Sequence, residues 1–349
     1  MSVASSHRVP VTLVTGFLGA GKTTLMRHIL QNVQGHRVAV VVQAGGPLGN
    51  GGEFLRKYGM EGCGDEESIE LPNGCLCSTV RDDFLPALES LLNRTDPPEH
   101  VVIETSGLAL PRSLLRAFGA PTVRNRVTVD GVVTVIDAFA VASGRFEDKS
   151  ASEDGMSTAG MPSAHENPIA TIFEDQLSAA DLIVLNKTDL LDKAGIEAVE
   201  KAIKRAAPPS ARILRATEGK VDPVVLLGVG AEAKADLGNA PSVAGVENPV
   251  FEHDDFESFV IKVPEQLSVE GFLTLLQNVA RKYDVLRTKG YAAVRGQSQR
   301  LAVQGVGTRF RHEFDRSLAA GADRMGRIVM IGQKGLKETA LRSALSEAG

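Results

Sequence analysis

The chain of 349 residues exceeds the usual limit for one compact core, so we expect two domains. Hydrophobic residues make up 43% and charged residues 23%, as in ordinary globular proteins, and the net charge of -5 argues against a nucleic-acid partner. Because no apolar run is long enough to cross a membrane and the amino terminus lacks a secretory signal, we predict a cytoplasmic protein with no membrane partner. The small number of cysteines, three, suits a reducing compartment.

The first predicted elements are a buried strand at residues 9–15 and a helix from Lys22 to about Asn32. The segment between and after them fits G-x-x-x-x-G-K-[ST], a phosphate-binding loop. Its glycines let consecutive backbone N–H groups surround phosphate, and the helix amino terminus adds positive potential. We expect Lys22 to reach the β- and γ-phosphates and Thr23 to place its hydroxyl on Mg²⁺. The predicted nucleotide-binding residues of this loop are Gly16, Gly19, Ala20, Gly21, Lys22, Thr23 and Thr24.

A second strand at residues 37–42 completes a parallel βαβ unit, which places a nucleotide at the carboxyl edge of the sheet. Residues 44–52 are rich in glycine and predict a loop near the phosphates. A third apolar strand, residues 100–107, delivers Glu104 and then Gly107 at its carboxyl end. These positions suit a second Mg²⁺ ligand and a glycine that senses the γ-phosphate, so the predicted catalytic residues are Lys22, Glu104 and Gly107.

Two further buried strands, residues 131–137 and 181–186, extend the sheet, and the polar residues 144–167 between them predict an exposed insertion. The second of these strands ends in Asn186-Lys187-Thr188-Asp189. An aspartate carboxylate at Asp189 can accept two hydrogen bonds from the N1–H and N2–H₂ edge of guanine, which adenine cannot offer. We therefore add Asn186, Lys187 and Asp189 to the nucleotide site and predict GTP as the ligand.

Glycine and proline without periodicity mark residues 229–249 as a linker. After it, an alternating strand at residues 256–263, a helix capped by Ser268 and several more strands predict a small α+β unit. The predicted fold class is α/β: a P-loop NTPase with a mostly parallel sheet flanked by helices at residues 1–228, and a smaller α+β domain at residues 250–349.

Taken together, these motifs resemble the CobW-type GTPases linked to cobalamin biosynthesis. The resemblance implies Mg²⁺-dependent GTP binding, slow GTP hydrolysis, and delivery of Co²⁺ or Zn²⁺ to a receiving protein. Cobalt is the first expected metal and a cobaltochelatase the first expected receiver. A homodimer is one expected form of the protein. It covers nearly the whole chain. The segments that carry it are Gly16 to Thr24, Cys75 to Cys77, Glu104 to Pro111, Asp130 to Asp137, Asn186 to Asp189 and Arg287 to Tyr291.

The metal site predicted from this resemblance is Cys75 and Cys77. The family usually has C-x-C-C, and Ser78 occupies the third ligand position here, where a thiolate would favour Co²⁺ or Zn²⁺. Because alternate residues of an extended chain point to opposite faces, both thiolates reach one ion only if the loop bends, which Asn73-Gly74 permits. The competing interpretation is that Cys75 and Cys77 are two small side chains packed within a loop and bind no metal.

Two functional hypotheses therefore remain at this stage. The first is a GTP-gated metallochaperone that inserts a divalent metal. The second is a GTP-dependent regulatory or scaffold protein whose metal site and hydrolysis have decayed. Ser78 and the segment from Gln43 to Pro47, where the family usually has a sequence close to N-E-F-G-D, favour the second.

We predict that GTP hydrolysis is slower than in a relative with the complete N-E-F-G-D loop. Phosphate binding depends on Lys22 and backbone N–H groups, which are retained, whereas hydrolysis also requires an ordered water, and two candidate carboxylates for that task are missing here. Turnover assays on both proteins at saturating GTP check this expectation. Equal rates would contradict it.

Overall fold

Two β-sheets with flanking helices form the framework of the chain. The computed structural model describes residues 8–33, 36–43, 68–71, 84–146, 168–228, 256–318 and 324–346. The predicted linker at residues 229–249 lies outside this part. Among the helices of these ranges, none combines the length and the apolar character needed to cross a membrane.

The first sheet has seven strands, all parallel, in the spatial order β3-β2-β4-β1-β5-β6-β7. This arrangement confirms the predicted α/β class, because parallel neighbours require crossover connections. The strands are β1 (Val9–Thr15), β2 (Val38–Gln43), β3 (Ser68–Leu71), β4 (His100–Glu104), β5 (Val127–Asp137), β6 (Leu182–Asn186) and β7 (Arg212–Arg215).

Helices cover both faces of this sheet. Alternation along β1 sends Val14 into one apolar cluster and Leu13 into the other, so the strand is buried on both sides. Leu25 packs in the first cluster and Phe84 in the second. The helices are α1 (Lys22–Asn32), α2 (Leu85–Leu92), α3 (Pro111–Ala117), α4 (Ala138–Ala142), α5 (Pro168–Ser178), α6 (Lys193–Ala206) and α7 (Pro223–Leu227).

The second sheet has five antiparallel strands in the order β11-β10-β9-β12-β8, which confirms the predicted α+β unit. Ser268 caps its first helix as expected, accepting a hydrogen bond from the backbone N–H of Gly271 at 3.1 Å. The elements are β8 (Phe256–Val263), α8 (Val269–Lys282), β9 (Arg287–Ala292), β10 (Gln299–Val306), β11 (Arg309–Ser317), β12 (Gly326–Gln333) and α9 (Glu338–Ser346).

A buried polar network joins the two sheets at the amino ends of the parallel strands. Arg287 of β9 forms an ion pair with Asp130 of β5, and its guanidinium also donates to the backbone carbonyls of Val225 and Leu226. Beside it, Arg309 pairs with Asp181 at 2.6 Å. The carboxyl-terminal sheet therefore lies at the end of the parallel sheet opposite to its carboxyl edge, which stays available for a nucleotide.

His100, at the start of β4, is buried next to this network. Its Nε2 lies 2.8 Å from the hydroxyl of Thr12. The pKa of His100 is lowered from 6.5 to about 3, chiefly by burial. The charge of Asp130 opposes this shift, and the positive charges of Arg287 and Lys289 add to it. The imidazole is therefore neutral in the folded protein at physiological pH.

We predict that His100 makes the protein acid-sensitive. As the pH falls below 6.5 the unfolded chain binds a proton at this residue, whereas the folded chain binds it only near pH 3, so stability is lost between these values. The loss from this group approaches about 1.4 kcal/mol per pH unit. Denaturant unfolding of the wild type and of His100→Gln at several pH values isolates the contribution of the histidine to the free energy of unfolding, because the two proteins have the same carboxylates. Parallel pH profiles would contradict this assignment.

Candidate nucleotide-binding site

The loop between β1 and α1 has the backbone that the phosphate-loop pattern predicts. Gly16, Gly19 and Gly21 have φ values of 136°, 81° and 106°, a region that favours glycine. A Cβ at Gly16 would lie 2.1 Å from the carbonyl oxygen of Val135, and one at Gly21 would lie 2.3 Å from Nδ2 of Asn186. Both glycines are thus required by close packing as well as by backbone conformation.

Lys22 lies across the mouth of its own loop. Its Nζ donates to the carbonyl oxygen of Gly16 at 2.7 Å and to that of Phe17 at 3.2 Å, and the residue is 7% exposed. Thr24 follows in the first turn of α1. The ammonium group is therefore held by the backbone of the loop that the motif predicts to bind phosphate.

The pairing of β1 with β4 brings Thr23 to Glu104. Val14 is the register partner of Glu104, and the Thr23 hydroxyl donates to Oε1 of Glu104 at 3.2 Å. Mg²⁺ holds oxygen ligands at about 2.0–2.1 Å in an octahedron, so adjacent ligand oxygens lie about 3 Å apart. The hydroxyl and the carboxylate therefore fit two neighbouring positions around one Mg²⁺ ion.

The side chain of Asn186 connects three segments of the chain. Its Nδ2 donates to the carbonyl oxygen of Ala20 at 3.0 Å, and its Oδ1 accepts from the backbone N–H of Gly219 at 2.9 Å. Gly219 follows β7 with φ of 67°, and a Cβ there would lie 2.8 Å from the backbone nitrogen of Leu25. Asn186 thus fixes the phosphate loop against the loop that follows β7.

Residues 187–189 present the predicted guanine-binding carboxylate. Lys187 is in a left-handed conformation with φ of 61°, and its Nζ donates to Oδ2 of Asp137 at 2.5 Å. The Thr188 hydroxyl donates to the carbonyl oxygen of Ala216 at 3.0 Å. Asp189 lies in the short 3-10 turn that follows, with its side chain exposed. The carboxylate is therefore accessible, three residues after Asn186, which contacts the phosphate loop.

Gly107 lies against the phosphate loop, as its predicted role requires. A Cβ at this position would lie 2.7 Å from the backbone nitrogen of Leu18. Three contacting residues were not predicted: Asp137, Gly219 and Gln176, whose amide holds the carbonyl of Gly107. The sequence places Asp137 at a strand end and in a segment of the family resemblance, without a predicted contact to Lys187.

The predicted metal ligands Cys75 and Cys77 lie outside the described residues, as do Cys63, Ser78 and residues 44–52. Within the described ranges, no group of three or more histidine, cysteine, aspartate and glutamate side chains is placed to hold a metal. The transition-metal site therefore stays a prediction.

Comparison with known families decides the class of this site. A family model described as the CobW/HypB/UreG nucleotide-binding domain matches residues 10–215, more than half of the chain. The chain belongs to the CobW/HypB/UreG family. A second model, the cobalamin synthesis protein cobW C-terminal domain, matches residues 256–349. The resemblance noted from the motifs is confirmed, and so is the assignment of the chain as a P-loop GTPase.

Curated relatives of this CobW/HypB/UreG protein match over most of its length. A zinc chaperone CobW from Sinorhizobium sp is 44% identical over 98% of this chain and 98% of the relative. A zinc chaperone CobW from Pseudomonas aeruginosa is 42% identical over 98% and 92%. A zinc-regulated GTPase metalloprotein activator 1 from Schizosaccharomyces pombe is 37% identical over 62% of this chain and 47% of the relative.

We predict that Asp189→Asn lowers the affinity for GTP by at least about a hundredfold and raises the affinity for xanthosine triphosphate. An amide at this position leaves the guanine N1–H and N2–H₂ donors without their shared carboxylate, but it can donate to the C2 carbonyl of xanthine. Binding titrations with both nucleotides check this.

Asp192→Asn is the matched control for this test. Asp192 caps α6, where Oδ1 accepts from the backbone N–H of Gly195 at 2.8 Å, and asparagine caps helices equally well. This variant removes the same charge three residues away and should keep its preference for GTP. An unchanged GTP preference in Asp189→Asn would show that this carboxylate does not read the base.

Proposed function

We propose that this protein is a GTP-dependent metallochaperone, which binds GTP, hydrolyses it slowly to GDP and phosphate, and delivers a divalent metal to a receiving protein. One observation carries the nucleotide half of this proposal: Asn186, from the guanine-binding segment, is hydrogen-bonded to Ala20 of the phosphate loop. The names of the near-full-length relatives support the metal half.

In the proposed site each residue has a separate task. Lys22 exchanges its contacts with the carbonyls of Gly16 and Phe17 for contacts with the β- and γ-phosphates. Thr23 and Glu104 hold Mg²⁺, which when bound neutralises charge on the β- and γ-phosphate oxygens. The backbone N–H of Gly107 contacts the γ-phosphate, which GDP lacks.

Cys75 and Cys77 are the proposed ligands of the transported metal. Thiolates bind both Zn²⁺ and Co²⁺ well, so the ligand type alone does not choose between them. The resemblance to proteins of cobalamin biosynthesis suggests cobalt and a cobaltochelatase as its receiver, whereas the curated relatives are named zinc chaperones. We propose a site that accepts either ion, with zinc the first candidate for the physiological one.

We also propose residues 1–228 as the GTPase domain, residues 229–249 as the linker and residues 250–349 as the carboxyl-terminal domain. A cytoplasmic location supplies GTP and keeps thiols reduced, as a thiolate metal site requires. The second candidate function is the GTP-dependent scaffold, which Ser78 in the third ligand position favours.

Titration with Co²⁺ tests the metal half of the proposal. In the presence of Mg²⁺ and a non-hydrolysable GTP analogue, we expect a thiolate-to-cobalt absorption band that Zn²⁺ abolishes by competition. Cys75→Ser and Cys77→Ser should each weaken the band, because each removes one thiolate, and the double substitution should abolish it.

Cys63→Ser is the control for that titration, since it removes a cysteine that lies outside the proposed pair, and it should retain the band. If the wild type binds the GTP analogue but shows no cobalt band, the scaffold function is the correct one. A band that survives both substitutions would place the metal elsewhere.

A further inference from the structure

Gln176, in the last turn of α5, holds the loop that carries Gly107. Its Nε2 donates to the carbonyl oxygen of Gly107 at 3.1 Å and to that of Ala109 at 3.2 Å, and the residue is fully buried. Both partner atoms can only accept hydrogen bonds, so the NH₂ side of the amide faces the loop.

These contacts fix the backbone on both sides of the Gly107 Cα. The peptide that contains the Gly107 N–H also contains the carbonyl of Ser106, which accepts from the backbone N–H of Ala109 at 3.0 Å. The peptide that follows is held through the Gly107 carbonyl by Gln176. Because a peptide unit is planar, the contact on the Ser106 carbonyl sets the direction of the Gly107 N–H. The Gln176 contact fixes the next peptide, so the Gly107 Cα between the two cannot rotate freely.

The support behind Gln176 is the sheet itself. The hydroxyl of Thr134, on β5, donates to the backbone carbonyl of Gln176 at 2.9 Å, and both residues are buried. The next residue of β5, Val135, packs its carbonyl against Gly16 of the phosphate loop. Strand β5 thus contacts both the phosphate loop and the backbone of Gln176, whose side-chain amide holds the Gly107 loop independently of the Thr134 hydroxyl.

The burial of this amide argues for a role beyond packing. Among the described residues, no donor reaches Oε1 of Gln176, although this atom is buried. An unsatisfied buried acceptor destabilises a fold, and an apolar side chain of similar size would avoid that penalty. What the glutamine adds is its pair of N–H donors, and both are directed at the Gly107 loop.

We propose that Gln176 is a positioning residue that directs the Gly107 N–H toward the γ-phosphate and so allows the site to distinguish GTP from GDP. This inference rests on the γ-phosphate contact proposed above for Gly107. Gln176 does not touch the nucleotide itself. Its effect appears only with a ligand that has a γ-phosphate.

The test compares Gln176→Leu with Thr134→Val, using fluorescent GDP and a fluorescent non-hydrolysable GTP analogue with Mg²⁺. We expect Gln176→Leu to weaken binding of the GTP analogue about tenfold, as for the loss of one well-placed hydrogen bond, with GDP affinity unchanged. Thr134→Val removes a buried hydrogen bond to the same residue but leaves both Nε2 contacts. The ratio of its affinities for the GTP analogue and for GDP should therefore stay at the wild-type value.

A purely structural role for Gln176 would lower both affinities together, or lower only the melting temperature, and either result would overturn the inference. Gln176→Met keeps the length of the side chain and replaces the leucine variant if the latter does not fold. It should show the same selective loss.

Gly107→Ala separates this inference from the function on which it rests, because its Cβ would lie 2.7 Å from the backbone nitrogen of Leu18 and so displaces the backbone that carries the Gly107 N–H. If the alanine variant weakens the GTP analogue selectively and Gln176→Leu does not, Gly107 senses the γ-phosphate without help from Gln176. If the alanine variant leaves the ratio of affinities unchanged, the contact proposed for Gly107 is itself wrong, and the role of Gln176 falls with it.

Discussion

The ion pair between Arg287 and Asp130 is the interaction on which the arrangement of the two halves depends. Burial raises the pKa of Asp130 and is the largest single influence, but the charge of Arg287, its hydrogen bond and the other nearby charges together outweigh burial. The pKa is therefore held below its usual value and the carboxylate is ionised. An ionised group buried without its partner is strongly destabilising, so each half of the chain supplies what the other needs. Asp130 occupies the position where the register of β5 against β1 shifts, between the partners of Val11 and Thr12.

This connection at the amino ends of the strands leaves the carboxyl ends to the nucleotide. There, two buried amides support the site from different directions: Asn186 holds the carbonyl of Ala20 and Gln176 holds that of Gly107. Both donate to backbone carbonyls, and both lie on segments far along the chain from the loops that they hold. The phosphate loop and the proposed γ-phosphate contact of Gly107 thus both depend on side chains that the parallel sheet and its helices hold in place.

Short sequence patterns predicted the helices, strands and caps that depend only on neighbouring residues. The strand and helix around the phosphate loop and the cap at Ser268 follow from glycine spacing, apolar periodicity and a side-chain acceptor, and the structure has them at the expected residues. The strand Arg309–Ser317 was not predicted because most of its side chains are charged and its half-buried and exposed positions do not alternate regularly. The helix Lys193–Ala206 was not predicted, although its cap, Asp192, is a local signal for a helix start.

The sequence by itself determined the class of the protein, because a phosphate loop and a guanine-binding segment are short motifs whose chemistry is complete within a few consecutive residues. From the sequence, Thr23 and Glu104 are both predicted as ligands of one Mg²⁺ ion, which requires them to lie close together. Only the tertiary structure decided that Arg287 neutralises Asp130 and that Gln176 holds Gly107, which lie 157 and 69 residues apart in the chain. Such pairs arise from the strand order of the sheets, and no local spacing records which distant carbonyl or carboxylate a donor will meet.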